Sequence, residues 1–274
     1  MSGIIWLASY PKSGNTWLRA FLANLIADQD VPVPFTDYGR FATNEASGYW
    51  FRDRIGGDLR PEHMRAVAAM RTDVQRDIAR TGKPLRFVKT HSYLGPAFGH
   101  LQINMDVTAG AIYIVRNPLD VAISFAHHNA TAIDQAIDVM AKPGTSSMMR
   151  PDRVFEWTSD WSSHVESWTG RPHEQLCVLR YEDMLDRPME SFSKVAAFLK
   201  MGVEPSQINR AIEASSFEQL QKMERETGFD EKASGADAFF RVGRKNQWSE
   251  VLSKEQQRRI IARHKAQMKR FDYL

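Results

Sequence analysis

Short apolar runs alternate along the chain with segments whose apolar residues recur at spacings of three and four. Nearly continuous apolar runs are typical of strands buried on both faces of a sheet, and here they occupy 3–10, 85–90, 111–116 and 176–180. The periodic segments predict amphipathic helices, which cover 16–27, 118–128, 187–199 and about 254–268. Because the strands and helices alternate, we predict an α/β fold with three layers, in which helices flank a central parallel sheet.

The composition is that of an ordinary globular protein, with 274 residues, 43% hydrophobic and 25% charged. No linker or repeat divides the chain, so we expect a single domain over 1–274. The net charge is +3, but the segment 241–270 contains ten Lys or Arg and only two Asp or Glu. The basic character is therefore local, and it does not indicate a nucleic-acid-binding surface.

The single cysteine, Cys177, excludes an internal disulfide and a cysteine-based zinc site. The first residues lack the basic region that precedes the apolar part of a signal peptide. No apolar stretch approaches the roughly 20 residues that a membrane-spanning helix needs. We therefore expect a cytoplasmic protein without a membrane span.

The loop after the first strand reads YPKSGNTW, at residues 10–17, and leads into a helix. Backbone N–H groups at a helix N-terminus attract a phosphate, Gly14 permits close approach, and Lys12 adds a charge. The loop is not a Walker A sequence, because its lysine comes before the glycine and no Gly-Lys-Ser/Thr ends it. Considered alone, it is equally consistent with an ordinary turn and a solvated lysine.

A second polar motif, RNPLDVAIS at residues 116–124, follows the third of these strands. Arg116 ends the strand, and Ser124 lies two turns into the next helix. A guanidinium presents several donors to a phosphate in one plane, although an arginine at a strand end is also commonly a structural ion pair.

Five segments in order along the chain resemble motifs of the sulfotransferases that use 3′-phosphoadenosine-5′-phosphosulfate (PAPS). They are PKSGNTW at 11–17, KTH at 89–91, Arg116 with Ser124, RYEDM at 180–184 and FFRVG at 239–243. Together they extend over most of the chain. The resemblance implies the P-loop-containing nucleotide-binding fold of that family, in its cytosolic-type or bacterial small-molecule form.

The resemblance also implies an activity, the transfer of a sulfuryl group from PAPS to a hydroxyl of a small molecule, with release of 3′,5′-bisphosphoadenosine (PAP). His91 corresponds to the general base, Lys12 to the cation that stabilises the leaving PAP, and Lys89 to a second cation on the sulfonate. His127 and His128 are the alternative bases. No metal is required, because fixed cations can neutralise the leaving nucleotide.

For the nucleotide, the resemblance assigns three groups of residues. The 5′-phosphate group is Lys12, Ser13, Gly14, Asn15 and Thr16, the adenine group is Trp17, Tyr181 and Phe217, and the 3′-phosphate group is Arg116, Ser124, Arg241, Gly243 and Arg244. Val242 departs from the family pattern, which has a lysine at that position. Arg244 and Lys245 are expected to replace the lost charge.

Two segments without a family motif, 31–84 and 129–152, are expected to form the acceptor pocket and its lid as loops. Their aromatic residues suggest a small apolar or aromatic acceptor, and they include Phe35, Tyr38, Phe41, Tyr49, Trp50 and Phe51. The sequence does not decide between a monomer and a homodimer. The alternative functions are a P-loop nucleotide kinase and a non-catalytic nucleotide-binding protein.

Overall fold

The structure is a computed structural model that describes residues 3–81, 85–232 and 238–274. Residues 82–84 of the predicted acceptor segment lie outside the described residues, as do residues 1–2 and 233–237 of the predicted single domain. The strands are β1 Gly3–Ser9, β2 Ala42–Asn44, β3 Leu85–Thr90, β4 Pro96–Ala97, β5 His100–Leu101, β6 Thr108–Val115 and β7 Leu176–Arg180.

The α-helices fall between and after these strands. They are α1 Asn15–Ala27, α2 Tyr38–Phe41, α3 Arg52–Ile55, α4 Met64–Arg80, α5 Pro118–His128, α6 Ile133–Ala141, α7 Trp161–Thr169, α8 Tyr181–Asp186, α9 Pro188–Phe198, α10 Pro205–Ala214, α11 Phe217–Thr227, α12 Trp248–Val251 and α13 Lys254–Arg270.

Five strands form one parallel sheet in the order β2-β3-β1-β6-β7, and β4 pairs with β5 in a separate antiparallel hairpin. In register, Leu7 of β1 lies beside Lys89 of β3 and Ile112 of β6. The carboxyl ends of β1, β3 and β6 therefore meet at one edge, which is where ligands bind in open α/β sheets.

Helices cover both faces of the sheet, as the alternating pattern predicts. On one face, Trp6 and Tyr113 belong to a buried cluster that includes residues of α4, α5, α7 and α13. On the other face, Leu7 and Ile114 belong to a cluster that includes residues of α1, α9 and α10. The three-layer prediction is confirmed.

Several predicted boundaries agree with the structure residue for residue, including β3, β7 and α5. The strand predicted at 111–116 starts three residues earlier, at Thr108. The last helix begins with the expected capping box, since Gln256 N donates to Ser253 Oγ at 3.2 Å and Ser253 N donates to Gln256 Oε1 at 3.0 Å.

The segment 31–84 was predicted as loop, and here the prediction is wrong. It contains the 17-residue helix α4, which packs on the sheet through Val67, Val74 and Ile78. On the buried side of this helix, the fully buried Arg71 donates to Glu45 Oε2 at 2.7 Å. An arginine on the apolar face hides the helical period, because its pairing with Glu45 is a tertiary contact that local sequence does not show.

Candidate active site

A cleft of about 830 Å³ opens at the carboxyl edge of the parallel sheet. Its wall combines residues from the ends of three strands, namely Lys12 after β1, Lys89 and His91 at β3, and Arg116 after β6. Residues 100 positions apart in sequence thus share one cavity. The structure brings these predicted residues together, as the strand-end placement requires.

The loop before α1 has a backbone that suits close approach to an anion. Lys12 and Gly14 both have positive φ, at 67° and 107°. A Cβ on Gly14 would lie 2.8 Å from Tyr181 Cδ2, so glycine is required there for space as well as conformation. The Ser13 Oγ is buried and has no hydrogen-bond partner among the described residues. An unsatisfied buried donor at a helix N-terminus is what an absent phosphate would leave behind.

The Lys12 ammonium lies over the Phe239 ring, 3.7 Å from its centroid. The pKa of Lys12 is lowered to about 7, mainly by burial; the charge of Glu231 opposes this lowering, and the positive charge of Arg116 adds to it. Glu231 itself is paired with Arg19 at 2.9 Å. Lys12 is therefore a cation without a close carboxylate partner among the described residues, and an anionic ligand would restore its charge.

Arg116 joins the first loop to the late loop of the motif FFRVG. Its Nη1 donates to the Lys12 carbonyl at 3.0 Å, its Nη2 donates to the Arg244 carbonyl at 3.4 Å, and its guanidinium lies over the Tyr181 ring at 4.1 Å. The Arg116 Nε is buried and without a partner among the described residues. Ser124 lines the same cleft from α5.

His91 follows β3 and is oriented by a strand end. Its Nδ1 lies 2.8 Å from the Ser9 carbonyl oxygen, which can only accept, so Nδ1 carries the proton and donates. The neutral Nε2 is then an acceptor. Burial and the nearby Lys89 lower the pKa of His91 to about 3, which keeps the ring neutral at physiological pH.

Glu156 holds both His91 and Lys89, and sequence reasoning missed it. Its Oε1 accepts from the His91 backbone N–H at 2.7 Å, and its Oε2 lies 3.5 Å from Lys89 Nζ. Burial alone would raise the pKa of Glu156, but Lys89, His91 and the His91 N–H lower it to about 2. The carboxylate is charged and offsets the Lys89 charge. No motif marks Glu156, because it belongs to a segment 65 residues from His91.

A second missed residue, His164 on α7, supports His91 from behind. The Tyr113 hydroxyl donates to His164 Nδ1 at 2.8 Å, and His164 Nε2 donates to the His91 carbonyl at 3.0 Å. Both ring nitrogens are thereby satisfied in one tautomer. Burial lowers the pKa of His164 to about 4, so its ring is neutral at physiological pH.

The late loop places some predicted residues in the cleft and others outside it. Arg241 and Gly243 line the cleft, and Arg241 donates to Gln247 Oε1 at 2.9 Å. Gly243 has φ of 62°, and a Cβ there would come within 2.2 Å of the Phe217 ring. Arg244 does not join them, since its guanidinium pairs with Glu250 on the surface.

Other charged side chains near the late loop form ion pairs and hydrogen bonds within the protein. Lys245 pairs with Asp186, so its side chain, like that of Arg244, has a carboxylate partner outside the cleft. Asp120 of α5 accepts from the N–H groups of Asn246 at 2.7 Å and Trp248 at 3.1 Å. Within the basic segment 241–270, Arg241 is therefore the cation that faces the cleft among the described residues.

The three aromatic residues assigned to adenine all line the cleft, and they are Trp17, Tyr181 and Phe217. Trp17 and Tyr181 pack edge to face, with centroids 5.9 Å apart. The Trp17 Nε1 is buried and lacks a partner among the described residues.

Two residues assigned to the 5′-phosphate have side chains that bond within the protein. The Asn15 amide donates to the Leu7 carbonyl at 2.8 Å and holds the strand end, while Thr16 Oγ1 accepts from Arg19 at 3.0 Å.

The acceptor segments behave differently from each other. The second, 129–152, supplies cleft residues such as Gln135, Val139 and Met148. No described residue of 31–84 lines the cleft, and the six aromatic residues that suggested an apolar acceptor lie elsewhere. For example, Phe51 is fully buried in the core, and Tyr49 is 76% exposed.

Of the two alternative bases, His128 lines the cleft and His127 does not. Burial first and Lys12 next lower the pKa of His128 to about 4. No cluster of three or more metal-ligating side chains occurs within 3–81, 85–232 and 238–274. Over the same ranges, no helix combines the length and apolarity needed to cross a membrane.

A family model for the sulfotransferase domain matches residues 3–272, and the chain belongs to that family. The chain is 27% identical to sulfotransferase 1B1 of Canis lupus familiaris over 220 residues, which are 79% of this chain and 65% of that protein. It is 26% identical to cytosolic sulfotransferase 15 of Arabidopsis thaliana over 277 residues, which cover 93% of this chain and 69% of that one.

Solved structures share the fold. Mouse sulfotransferase SULT7A1 complexed with PAP superposes with a TM-score of 0.64 at 21% identity, covering 98% of this chain and 85% of that one. Retinol dehydratase in a complex with retinol and PAP gives a TM-score of 0.66 at 21% identity, covering 97% and 81%. The predicted sulfotransferase fold is confirmed.

Proposed function

We propose that the protein transfers a sulfuryl group from PAPS to a hydroxyl of a small-molecule acceptor and releases PAP. The observation that carries the proposal is the meeting of Lys12, His91 and Arg116 in one cleft at the carboxyl edge of the sheet. Membership of the sulfotransferase family and the likeness to PAP complexes support it.

The unsatisfied donors of the cleft fit a nucleotide that carries two phosphate groups. Ser13 Oγ and the positive-φ loop, with Lys12, Gly14, Asn15 and Thr16, would hold the 5′-phosphate at the N-terminus of α1. Arg116 Nε faces the second site, where the 3′-phosphate would also meet Ser124, Arg241 and Gly243. Arg244 contributes its carbonyl to Arg116 rather than its charge to the ligand.

Trp17, Tyr181 and Phe217 would enclose the adenine, since aromatic faces stack on a base and the unpartnered Trp17 N–H can donate to it. The packing of Gly243 against Phe217 fixes that ring beside the 3′-phosphate site. The adenine site and the 3′-phosphate site are therefore in direct contact.

In the transfer step, the acceptor oxygen attacks sulfur in line as the bond from sulfur to the bridging oxygen of the 5′-phosphate breaks. His91 Nε2 accepts the hydroxyl proton, because Nδ1 is committed to Ser9. Lys12 neutralises the charge that develops on the bridging oxygen, and Lys89 faces the sulfonate with its charge partly offset by Glu156. The negative charges of Glu156 and Glu231 oppose the effect of burial and Lys89 on the pKa of His91.

The acceptor is a small molecule whose apolar part contacts Phe125, Val139 and Met148, which line the same cleft as His91. These three residues, rather than the aromatic residues of 35–51, support an acceptor that has an apolar body. A cytoplasmic location stays part of the proposal, supported by the relative named as a cytosolic sulfotransferase.

Calorimetry with PAP and ATP, each with and without Mg²⁺, tests the nucleotide class. We expect PAP to bind without Mg²⁺ and more tightly than ATP, and Arg116→Ala to weaken PAP more than any substitution at His91. Equal affinities, or ATP binding that depends on Mg²⁺, would favour the nucleotide kinase and contradict the proposal.

A further inference from the structure

A hairpin-like segment contributes residues to the lining of the cleft. Its arms run from Thr145 to Arg150 and from Arg153 to Ser159, referred to below as the 145–159 hairpin. Ser159 N donates to the Thr145 carbonyl at 2.9 Å, and Ser147 N donates to the Glu156 carbonyl at 2.9 Å. At the tip, Arg150 and Arg153 exchange backbone hydrogen bonds at 2.8 and 3.1 Å.

The tip of this hairpin is fixed from outside by the segment 46–52. Val154 N donates to the Ala46 carbonyl at 2.9 Å, Gly48 N donates to the Asp152 carbonyl at 2.7 Å, and Arg52 Nη2 donates to the Pro151 carbonyl at 2.9 Å. These bonds use backbone carbonyls and leave the side chains of Arg150 and Arg153 uninvolved. Hydrogen bonds to the segment 46–52 therefore fix the backbone that carries the two arginines.

Both arginine side chains line the cleft, Arg153 half-buried and Arg150 exposed at the mouth. Among residues 3–81, 85–232 and 238–274, neither guanidinium donates to a side chain or forms an ion pair. The buried cleft carboxylates have other ion-pair partners, since Glu156 pairs with Lys89 and Glu231 pairs with Arg19, while the charge of Arg153 also lowers the pKa of both. Asp152 borders the mouth but is exposed and pairs with neither arginine.

The arginines lie close to the reacting end of the cleft. Arg153 is three residues from Glu156, a span of at most about 11 Å of extended chain, and its charge helps to lower the pKa of Glu156. Glu156 in turn accepts from the His91 N–H at 2.7 Å. Burial and Lys12 are the main causes that lower the pKa of His128, and Arg153 and Arg150 add to them, so their field reaches that wall. The proposed function assigns the donor phosphates to Lys12, Arg116 and Arg241, which line the same cleft.

We infer that the acceptor is a hydroxylated carboxylate, whose carboxylate binds Arg153 with Arg150 at the mouth while its hydroxyl faces His91. The inference rests on the proposed function and refines its acceptor class. A guanidinium fork matches a carboxylate in two parallel hydrogen bonds. The apolar residues Phe125, Val139 and Met148 line the same cleft and would contact the body of such a molecule.

Calorimetry on the PAP-loaded protein tests the inference without requiring turnover. The probes are two series matched in size: 3-(4-hydroxyphenyl)propionate with its amide and the corresponding amine, and 6-hydroxyhexanoate with its amide and 6-aminohexanol. In at least one series we expect the carboxylate to bind about tenfold more tightly than the amide, with the amine weaker still.

Substitutions then assign the preference to the hairpin. Arg153→Gln keeps the backbone bonds of the tip and should reduce the preference to within about twofold, whereas Arg153→Lys should keep part of it. The PAP affinity should stay unchanged in both. Arg171→Gln removes the same charge from an exposed position outside the cleft and should keep the full preference.

The outcomes separate this inference from the function on which it rests. If PAP fails to bind, the proposed function is wrong and the inference falls with it. If PAP binds but the carboxylates bind no better than the amides, or bind undetectably, the inference alone is overturned. It is also overturned if Arg153→Gln weakens PAP instead of the carboxylate, because Arg153 then serves the donor.

Discussion

Lys12 should take up a proton when the nucleotide binds. In the free protein its pKa is lowered to about 7, first by burial and then by Arg116 and Lys89, with Glu231 and Glu224 opposing. A phosphate beside the ammonium adds negative charge and raises that pKa toward its ordinary value of 10.5. A group whose pKa rises on binding favours the bound state at low pH, and this advantage is lost as the pH increases above 7.

The size of the effect follows from the two pKa values. At pH 8 a group with a pKa of about 7 is about one tenth protonated, so binding should take up about 0.9 proton per nucleotide. At pH 7 the uptake should be about 0.5 proton. Between pH 7 and pH 9 the affinity should fall about 50-fold, provided that the bound group stays protonated.

The assay is titration calorimetry with PAP at pH 8 in HEPES, Tricine and Tris, which differ in ionisation enthalpy. The slope of the observed enthalpy against the buffer ionisation enthalpy gives the number of protons taken up. The phosphate groups of PAP, with a second pKa of about 6, are almost fully charged at this pH and contribute little.

Lys12→Met should reduce the slope to near zero, and Lys265→Met, on the exposed side of α13, should leave it unchanged. A slope near zero in the wild-type protein with PAP bound would refute the reasoning. The same slope in Lys12→Met would show that another group takes up the proton.

Three further substitutions have distinct readouts. Glu45→Gln leaves the fully buried Arg71 without its carboxylate partner, although its bond to the Phe155 carbonyl remains, and should lower the free energy of unfolding by about 3–5 kcal/mol in urea. Gly14→Ala forces a Cβ onto a residue with φ of 107° and should weaken PAP binding, with about 1–3 kcal/mol of lost stability. His164→Leu removes the donor to the His91 carbonyl and should lower kcat about tenfold or more, with the Kd for PAP unchanged.

Matched controls make these outcomes decisive. Glu62→Gln breaks an exposed pair of 4.0 Å and should change stability by less than about 0.5 kcal/mol. Gly39→Ala, with no atom within 4 Å of its Cβ, should leave PAP binding intact. A His164→Leu protein that loses PAP affinity in proportion to kcat would show general damage rather than the positioning of His91.

Much of the fold could be predicted because its signals are local. The strands beside the cleft are buried on both faces, so their apolar runs are continuous, and Pro118 and Ser253 mark helix starts by their own chemistry. Residues that directly follow those strands, such as His91 and Arg116, then had to meet at one edge of the sheet. The sequence could therefore place the main groups of the cleft before any coordinates.

The remainder depended on contacts that no local pattern contains. Helix α4 escaped prediction because Arg71 interrupts its apolar face, and its partners, Glu45 and the Phe155 carbonyl, are distant in sequence. Glu156 and Arg153 belong to no motif, and they reach the cleft through a hairpin that is hydrogen-bonded to a distant segment. The position of Arg244 in the sequence suggested a contact with the 3′-phosphate, but its guanidinium forms an ion pair with Glu250.

The most direct test of the account is transfer of ³⁵S from labelled PAPS to a panel of hydroxyl acceptors, with wild-type protein and His91→Ala compared at equal PAP occupancy. We expect labelled acceptor from the wild-type protein, and a rate at least about 100-fold lower for His91→Ala with its PAP affinity unchanged. Full activity in His91→Ala would remove the proposed base. Absence of transfer by the wild-type protein, with phosphoryl transfer from ATP in its place, would contradict the account as a whole.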